Sequence, residues 1–279
     1  MIPAPFDYEV AESVEHAVQL LGERDDTKLL AGGHSLIPLL RLRLARPAVL
    51  VDLGRLDSLR YIRDVGEQLA IGALTRHHNL QHDPLLREHC PLVSHTAGLI
   101  GDPQVRHRGT IGGSVAHGDP ASDLPTVLVA LDAELVVHGP GGERTFSAGE
   151  FFRGVFETAL RPQDVLTEIR VPKLGEAGWS YVKFTRRAQD WATVGVATVV
   201  RRSNGTVGNA AIALTNMGPT PVRARTAEGA LKTADDIPAA AAEAAAESDP
   251  PSDTSGSAEY RRHLATVLTR RALEEAIVR

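Results

Sequence analysis

Two glycine pairs are the residues best suited to hold a ligand by backbone alone. One lies in Ala31-Gly32-Gly33-His34-Ser35, the other in Thr110-Ile111-Gly112-Gly113-Ser114. Glycine lets a chain turn sharply and brings bare N–H groups against a ligand. N–H groups at a helix start or in a nest attract anions, phosphates above all. Each pair runs on to a serine, which adds a hydroxyl. Two such turns acting together would grip both sides of a pyrophosphate; singly, each also reads as a plain tight turn. Neither is a G-x-G-x-x-G, and the chain has no G-x-x-x-x-G-K-[ST]. This argues against a Rossmann site and a P-loop, and leaves an adenine dinucleotide held in another fold.

Other chemistries find less support. His77, His78, His82, His89, His95, His107 and His117 crowd the first half, and His78 and His82 share the i, i+4 spacing of a helical metal pair. No H-E-x-x-H accompanies them, so they read as surface histidines. There is no G-x-S-x-G nucleophile motif either. The single cysteine, Cys90, excludes a disulfide framework, and with it an iron–sulfur cluster or Cys-based zinc site built by this chain alone. It fits a reducing cytoplasm.

The elements that must carry these turns follow from periodicity. The chain has 279 residues, 43% hydrophobic and 23% charged, which suits a globular protein of about two domains. A net charge of -5 and 4% aromatic residues argue against a duplex-binding domain and a base-stacking platform, so no nucleic-acid partner is expected. No apolar run is long enough for a transmembrane segment, and the first residues do not form a signal peptide. Residues 13–21, 77–81, 85–90, 91–99 and 125–131 read as helices; 28–31, 49–53, 68–71, 135–138 and 165–171 read as strands. Residues 172–178 read as a linker. Beyond it come three strands, 179–184, 192–201 and 206–214, with Asn204-Gly205 as a hairpin turn. Helices at 224–232, 238–247 and 259–278 follow, with a mobile loop at 248–257. Arg261, Arg262, Arg270 and Arg271 read as a solvated helix face.

Taken together, the motifs resemble the FAD-binding medium subunits of carbon monoxide dehydrogenase-type molybdenum hydroxylases, the family that includes xanthine dehydrogenase. The resemblance is carried by Met1-Ile2-Pro3, Phe6-Asp7-Tyr8 and the run from Leu30 through Pro38. It continues in Gly101-Asp102-Pro103-Gln104-Val105-Arg106, in Gly109 through Ser114, and in Gly118-Asp119-Pro120-Ala121-Ser122-Asp123. In the second half Lys183, Arg186-Arg187, Asp190-Trp191-Ala192-Thr193 and Leu214-Thr215-Asn216 match.

The resemblance implies an α+β fold: a two-subdomain FAD-binding domain of the molybdenum hydroxylase/vanillyl-alcohol-oxidase type, then a C-terminal three-stranded antiparallel sheet with helices. The expected division is 1–175, with subdomains split near residue 55, and 176–279. It implies FAD, bound non-covalently, held at its pyrophosphate and adenosine by Leu30, Ala31, Gly32, Gly33, His34, Ser35, Leu36 and Ile37 and by Thr110, Ile111, Gly112, Gly113 and Ser114. Gly101 is expected at the cofactor too. Asp123 would accept from the ribityl hydroxyls, although by itself it reads equally as a helix N-cap. Leu166 would lie against the isoalloxazine and Lys183 would face the flavin or its phosphate; alone, these read as a core leucine and an exposed strand lysine. Trp191 takes the place of a tyrosine that shields one flavin face in carbon monoxide-type members.

The implied partners are a small subunit with two 2Fe-2S clusters, a large molybdopterin subunit, and a quinone or NAD as electron acceptor. Carbon monoxide is the first expected substrate of the complex, with nicotine, purines and aldehydes open. The expected location is the cytoplasm, or the inner face of the membrane through partners. The competing readings are a stand-alone FAD-dependent reductase and a non-catalytic nucleotide-binding subunit.

Overall fold

The computed structural model describes residues 2–203 and 206–279. The first layer is a parallel three-stranded sheet. Its elements are β1 (Asp7–Val10), α1 (Val14–Glu23), β2 (Thr27–Leu30), α2 (Leu36–Arg41) and β3 (Val49–Asp52), with β3 in the middle. Ser13 starts α1 because its hydroxyl accepts from the His16 N–H at 3.1 Å. Ala17, Val18 and Leu21 then face the sheet. Strand β1 alternates Asp7 and Glu9 with Tyr8 and Val10 but is largely exposed, and it is held by its parallel pairing with β3.

The second unit opens with β4 (Ile62–Asp64) and β5 (Gln68–Gly72). Seven short helices occur in it: α3 (His77–His82), α4 (Pro84–His89), α5 (Pro91–Gly98), α6 (Pro103–Arg108), α7 (Ile111–His117), α8 (Asp123–Ala130) and α9 (Ala148–Phe151). Its further strands are β6 (Glu134–Gly139), β7 (Gly142–Ser147), β8 (Phe152–Gly154), β9 (Glu157–Thr158) and β10 (Val165–Pro172). The five-stranded antiparallel sheet runs β4-β5-β10-β6-β7. Proline at the first turn sets where α4, α5 and α6 begin, and Asp83 and Asp102 cap two of them. Cys90 lies in this core, and burial pushes its thiol up to about 12. The folded chain is therefore expected to resist iodoacetamide at mildly alkaline pH and to be alkylated only after denaturation, as read by intact mass.

The third unit contains β11 (Gly178–Phe184), β12 (Val194–Ser203), β13 (Thr206–Thr215), β14 (Val222–Arg223), α10 (Arg225–Ala230), α11 (Ile237–Ala242) and α12 (Ala258–Val278). The two-residue β14 adds a fourth strand to the expected three. The Asn204-Gly205 turn falls outside the described residues. Alternation along β12 divides the sheet's faces. Val194, Val196 and Val200 pack with Leu264, Leu268 and Ala272 of α12, while Ala197 and Val199 join the core around α8. The sheet is thus covered on both faces, with α8 of the second unit packed against the face opposite α12.

Two expectations are corrected here. Arg261 is not on a solvated face: it is fully buried. Its Nη1 donates to the Thr193 carbonyl, and its Nη2 donates to both Asp253 oxygens at 2.7 and 2.8 Å. The loop at 248–257 is not loose either. Arg261 holds it at Asp253, and Arg186 donates to the Thr254 carbonyl at 2.7 Å. Polar composition suggested mobility, but a buried guanidinium needs acceptors and recruits the loop to supply them. Among the described residues no helix is long and apolar enough to cross a membrane.

Candidate cofactor site

The loops that carry the two glycine pairs meet. A Cβ built on Gly32 would overlap the Arg108 carbonyl oxygen and fall 2.8 Å from Gly109 Cα. A Cβ on Gly113 would fall 3.8 Å from Ala31 Cβ. The loop after β2 therefore lies on the turn that starts α7, bare backbone to bare backbone.

The pairs contribute differently. Gly33 has φ +79, a left-handed conformation that favours glycine, and it lets the chain reverse from β2 into α2. The N–H groups of His34, Ser35 and Leu36 find no protein partner among the described residues. In the second pair the donors are already engaged. Ile111 N–H donates to Thr75 O at 3.0 Å, Gly112 N–H to Ala73 O at 2.9 Å, and Gly113 N–H to the Thr110 hydroxyl at 3.1 Å. A Cβ on Gly112 would fall 2.5 Å from Ala73 Cβ. Gly112 is thus the close-packed seat of α7, and exposed Gly113 is its open face. A cradle with three free N–H groups on one wall and a glycine surface on the other fits a pyrophosphate.

His77 stands behind this cradle. It is buried, not a surface residue, and its N–H donates to the Gly109 carbonyl at 3.0 Å. Its Nδ1 has no partner among the described residues. Burial lowers its pKa to about 4, helped by His34 and Arg106. The folded value lies below the ordinary 6.5, so the unfolded chain binds more protons between the two. The stability is complete above 6.5 and is lost as pH falls towards 4. A depression of this size corresponds to roughly 3 kcal/mol. Urea unfolding across that range should show the loss, and His77→Phe should flatten it relative to wild type. His78 stacks on His107 with ring centroids 4.0 Å apart and lies tilted to His82 at 4.4 Å. No group of three His, Cys, Asp or Glu among the described residues is arranged to hold a metal.

A second polar cluster forms where α8 meets the third sheet. Tyr181 and Lys183 lie two apart on β11 and so share a face. The Tyr181 hydroxyl donates to Asp123 Oδ1 at 2.7 Å, and Lys183 Nζ donates to Asp123 Oδ2 at 2.8 Å. Thr215, 3.0 Å from the Tyr181 oxygen, donates on to Thr126 at 2.8 Å. Burial pushes the Asp123 carboxyl above the usual range, while Lys183 and Tyr181 pull it back. Burial, then the Asp123 charge, raises the Tyr181 phenol well above its ordinary value. Ser122, not Asp123, occupies the N-cap of α8, and Asp123 has both oxygens engaged within the protein.

Lys183 lines an open cleft of about 520 Å³ together with His95, Leu99, Gly101 and Tyr181. Helix α6 runs from just beyond Gly101 to Arg108, which abuts Gly32. Six helical residues span roughly 9 Å. The cleft and the glycine cradle therefore lie near the two ends of α6. Leu166 is 6% exposed inside the core and does not line that cleft. Trp191 is 58% exposed on the segment between β11 and β12. Tyr181 is the site residue that the sequence reading missed; its signal is the i, i+2 pairing with Lys183 on one strand.

The family described as "FAD binding domain in molybdopterin dehydrogenase" matches residues 4–174, and "CO dehydrogenase flavoprotein C-terminal domain" matches residues 179–276. The carbon monoxide dehydrogenase medium chain of Hydrogenophaga pseudoflava is 44% identical over 285 residues, covering 100% of this chain and 99% of that one. A 6-hydroxypseudooxynicotine dehydrogenase complex subunit alpha from Paenarthrobacter nicotinovorans is 40% identical, covering 100% of this chain and 97% of its own length. Among solved structures, carbon monoxide dehydrogenase from Hydrogenophaga pseudoflava lacking the Mo-pyranopterin moiety superposes with a TM-score of 0.97 at 46% identity, covering 100% of this chain and 99% of that one. The chain belongs to the FAD-binding subunits of the molybdopterin dehydrogenases, with a flavoprotein C-terminal domain of the carbon monoxide dehydrogenase type.

Proposed function

We propose that the chain is the FAD-carrying electron-transfer subunit of a molybdenum hydroxylase complex whose substrate is carbon monoxide. The observation that carries this is the packing of Gly32 on the Arg108–Gly109 turn that leads into Gly112-Gly113, which forms a candidate dinucleotide cradle at one end of α6 with Lys183 near the other. In this reading the N–H groups of His34, Ser35 and Leu36 hold the pyrophosphate, with Leu30, Ala31 and Ile37 beside them. Thr110, Ile111, Gly112, Gly113 and Ser114 close the opposite wall. Lys183, Leu99 and Gly101 border the flavin ring, Trp191 covers one of its faces, and Leu166 backs it through the core. Asp123 takes one hydrogen bond on each oxygen, from Tyr181 and from Lys183, and keeps lone pairs with which to accept from the ribityl hydroxyls.

Bound FAD accepts and gives one or two electrons, so it joins one-electron centres to a two-electron acceptor. The chain's own part is to bind, orient and shield it. Cys90 is the only thiol and is buried, so the clusters belong to another chain. A small subunit with two 2Fe-2S clusters and a large molybdopterin subunit supply the rest, and a quinone or NAD takes the electrons. Relatives alike over nearly their whole length carry the names of complexes with different substrates, and in this reading substrate choice lies with the large partner. The domains divide at residue 175 and the complex works in the cytoplasm.

Anaerobic spectroscopy tests the reading. Dithionite should bleach the flavin bands of the isolated chain, carbon monoxide should leave them unchanged, and adding the iron and molybdenum partners should restore bleaching by carbon monoxide. Bleaching by substrate without partners would overturn it in favour of a stand-alone reductase.

A further inference from the structure

Trp191 sits on a segment with few anchors. Residues 185–191 are tied by Arg186 to the Thr254 carbonyl and by the local Arg187–Asp190 pair at 3.1 Å. The next residue, Ala192, is 1% exposed, whereas Trp191 is 58% exposed. The anchor between them is Asn216. Its Nδ2 donates to the Ala192 carbonyl at 2.7 Å. Its own N–H donates to the Pro120 carbonyl at 2.9 Å. Pro120 belongs to the turn that delivers Asp123: Asp119 accepts from Ala121 N–H at 2.9 Å and from Ser122 N–H at 3.0 Å.

Asn216 joins these two segments from an unusual backbone position. Its φ is +61, in the left-handed region that asparagine tolerates better than other side-chain-bearing residues. That turn, directly after β13, points its N–H towards Pro120 and its side chain towards Ala192. One residue thereby spans the strand entry beside Trp191 and the loop three residues before Asp123.

We propose that Asn216 is a positioning residue that locks the Trp191 segment to the Asp119–Asp123 loop, so that the face-covering indole and the Lys183–Asp123 pair keep one fixed spacing. It rests on the reading of Trp191 as a cover for bound FAD. The indole acts on the flavin; Asn216 acts only through the segment it holds. Losing the Nδ2 bond frees the segment one residue beyond the indole, while Thr193 stays held by its N–H to the Phe184 carbonyl and by Arg261.

The test is the time-resolved flavin emission of the FAD-loaded full chain. An indole in contact with the ring quenches its emission within picoseconds, so the long-lived component measures the uncovered population. Asn216→Gly keeps the left-handed backbone and the bond to Pro120 and removes only Nδ2. It should raise the long-lived component about five-fold, the expectation for one lost hydrogen bond. Asn216→Asp keeps the shape but sets an acceptor against the Ala192 carbonyl, and should raise it further. Trp191→Phe should abolish the fast component. If Trp191→Phe raises the long-lived component and neither Asn216 variant does, the positioning role is overturned while the cover survives. If Trp191→Phe leaves the decay unchanged, the cover itself is overturned and the positioning role falls with it. Should Asn216→Asp fail to fold, Asn216→Gly decides alone.

Discussion

A Gly113→Val chain is expected to fold yet gain no melting temperature from FAD. The new Cβ would meet the Thr110 hydroxyl at 2.8 Å and otherwise only Ala31 Cβ at 3.8 Å. Disturbing the Thr110 cap removes about 1 kcal/mol. The rest of the valine stands on the open face of α7, where the pyrophosphate would lie. Ligand at about 100 times its dissociation constant stabilises the native state by roughly 2.7 kcal/mol, a rise of roughly 5–10 °C for a chain of this size. Wild type should show that rise and Gly113→Val none. Gly112→Val makes the contrast. Its Cβ would meet Ala73 Cβ at 2.5 Å and Ala73 O at 2.6 Å, with backbone that cannot retreat. That variant should lose folded protein with or without FAD, because overpacking on this scale exceeds the usual 1–3 kcal/mol (~) of a tight core substitution. Equal FAD-dependent gains in wild type and Gly113→Val would remove that face from the phosphate site.

The second large effect belongs to Asp123. Asp123→Ala leaves the Lys183 ammonium, with only 8% of its side chain exposed, facing the Leu99 carbonyl at 3.3 Å without its paired carboxylate. Breaking a buried pair in this way costs about 3–5 kcal/mol. Tyr181→Phe removes a single hydrogen bond to the carboxylate and should cost about 1–2 kcal/mol. Asp123→Ala combined with Lys183→Met removes both charges and should recover a large part of the loss, because contacting residues couple by about 0.5–3 kcal/mol. Urea unfolding of wild type and these variants, with Lys183→Met alone to complete the cycle, checks this. Strict additivity would mean that the pair contributes nothing as a pair.

The parts of this architecture that were legible from the sequence are those with local causes. Ser13 marks the start of α1 by its own hydroxyl, and Pro84 and Pro91 mark two more starts. Helix α7 was not legible as a helix, since Gly112 and Gly113 both disfavour one. It forms because Thr110 caps it and Gly112 seats on Ala73. Strand β1 is invisible without β3, and β14 is two residues long. In the site, the glycine pairs were legible because their chemistry is backbone chemistry. The partners of Asp123 were not: Tyr181 and Lys183 lie far along the chain, and only the closure of α8 on β11 sets them against its carboxylate. Arg261 was misjudged for the same reason, since its acceptors at Thr193 and Asp253 come from other elements.

Strand β10 stands at the centre of the five-stranded sheet, between β5 and β6, yet it is the last of those five strands in the chain. On the ribosome, β5 and β6 emerge with Leu69, Ile71, Leu135 and Val137 and nothing to join them. Each then presents an unpaired inner edge of the kind that recruits other chains. The sheet closes only when residue 172 has cleared the exit tunnel, and Ala73, the seat of Gly112, gains its bond to Thr167 O at 2.9 Å in the same event. Nascent chains halted before that point carry both unpaired edges, and Ala73, on which Gly112 seats, still lacks its bond to Thr167.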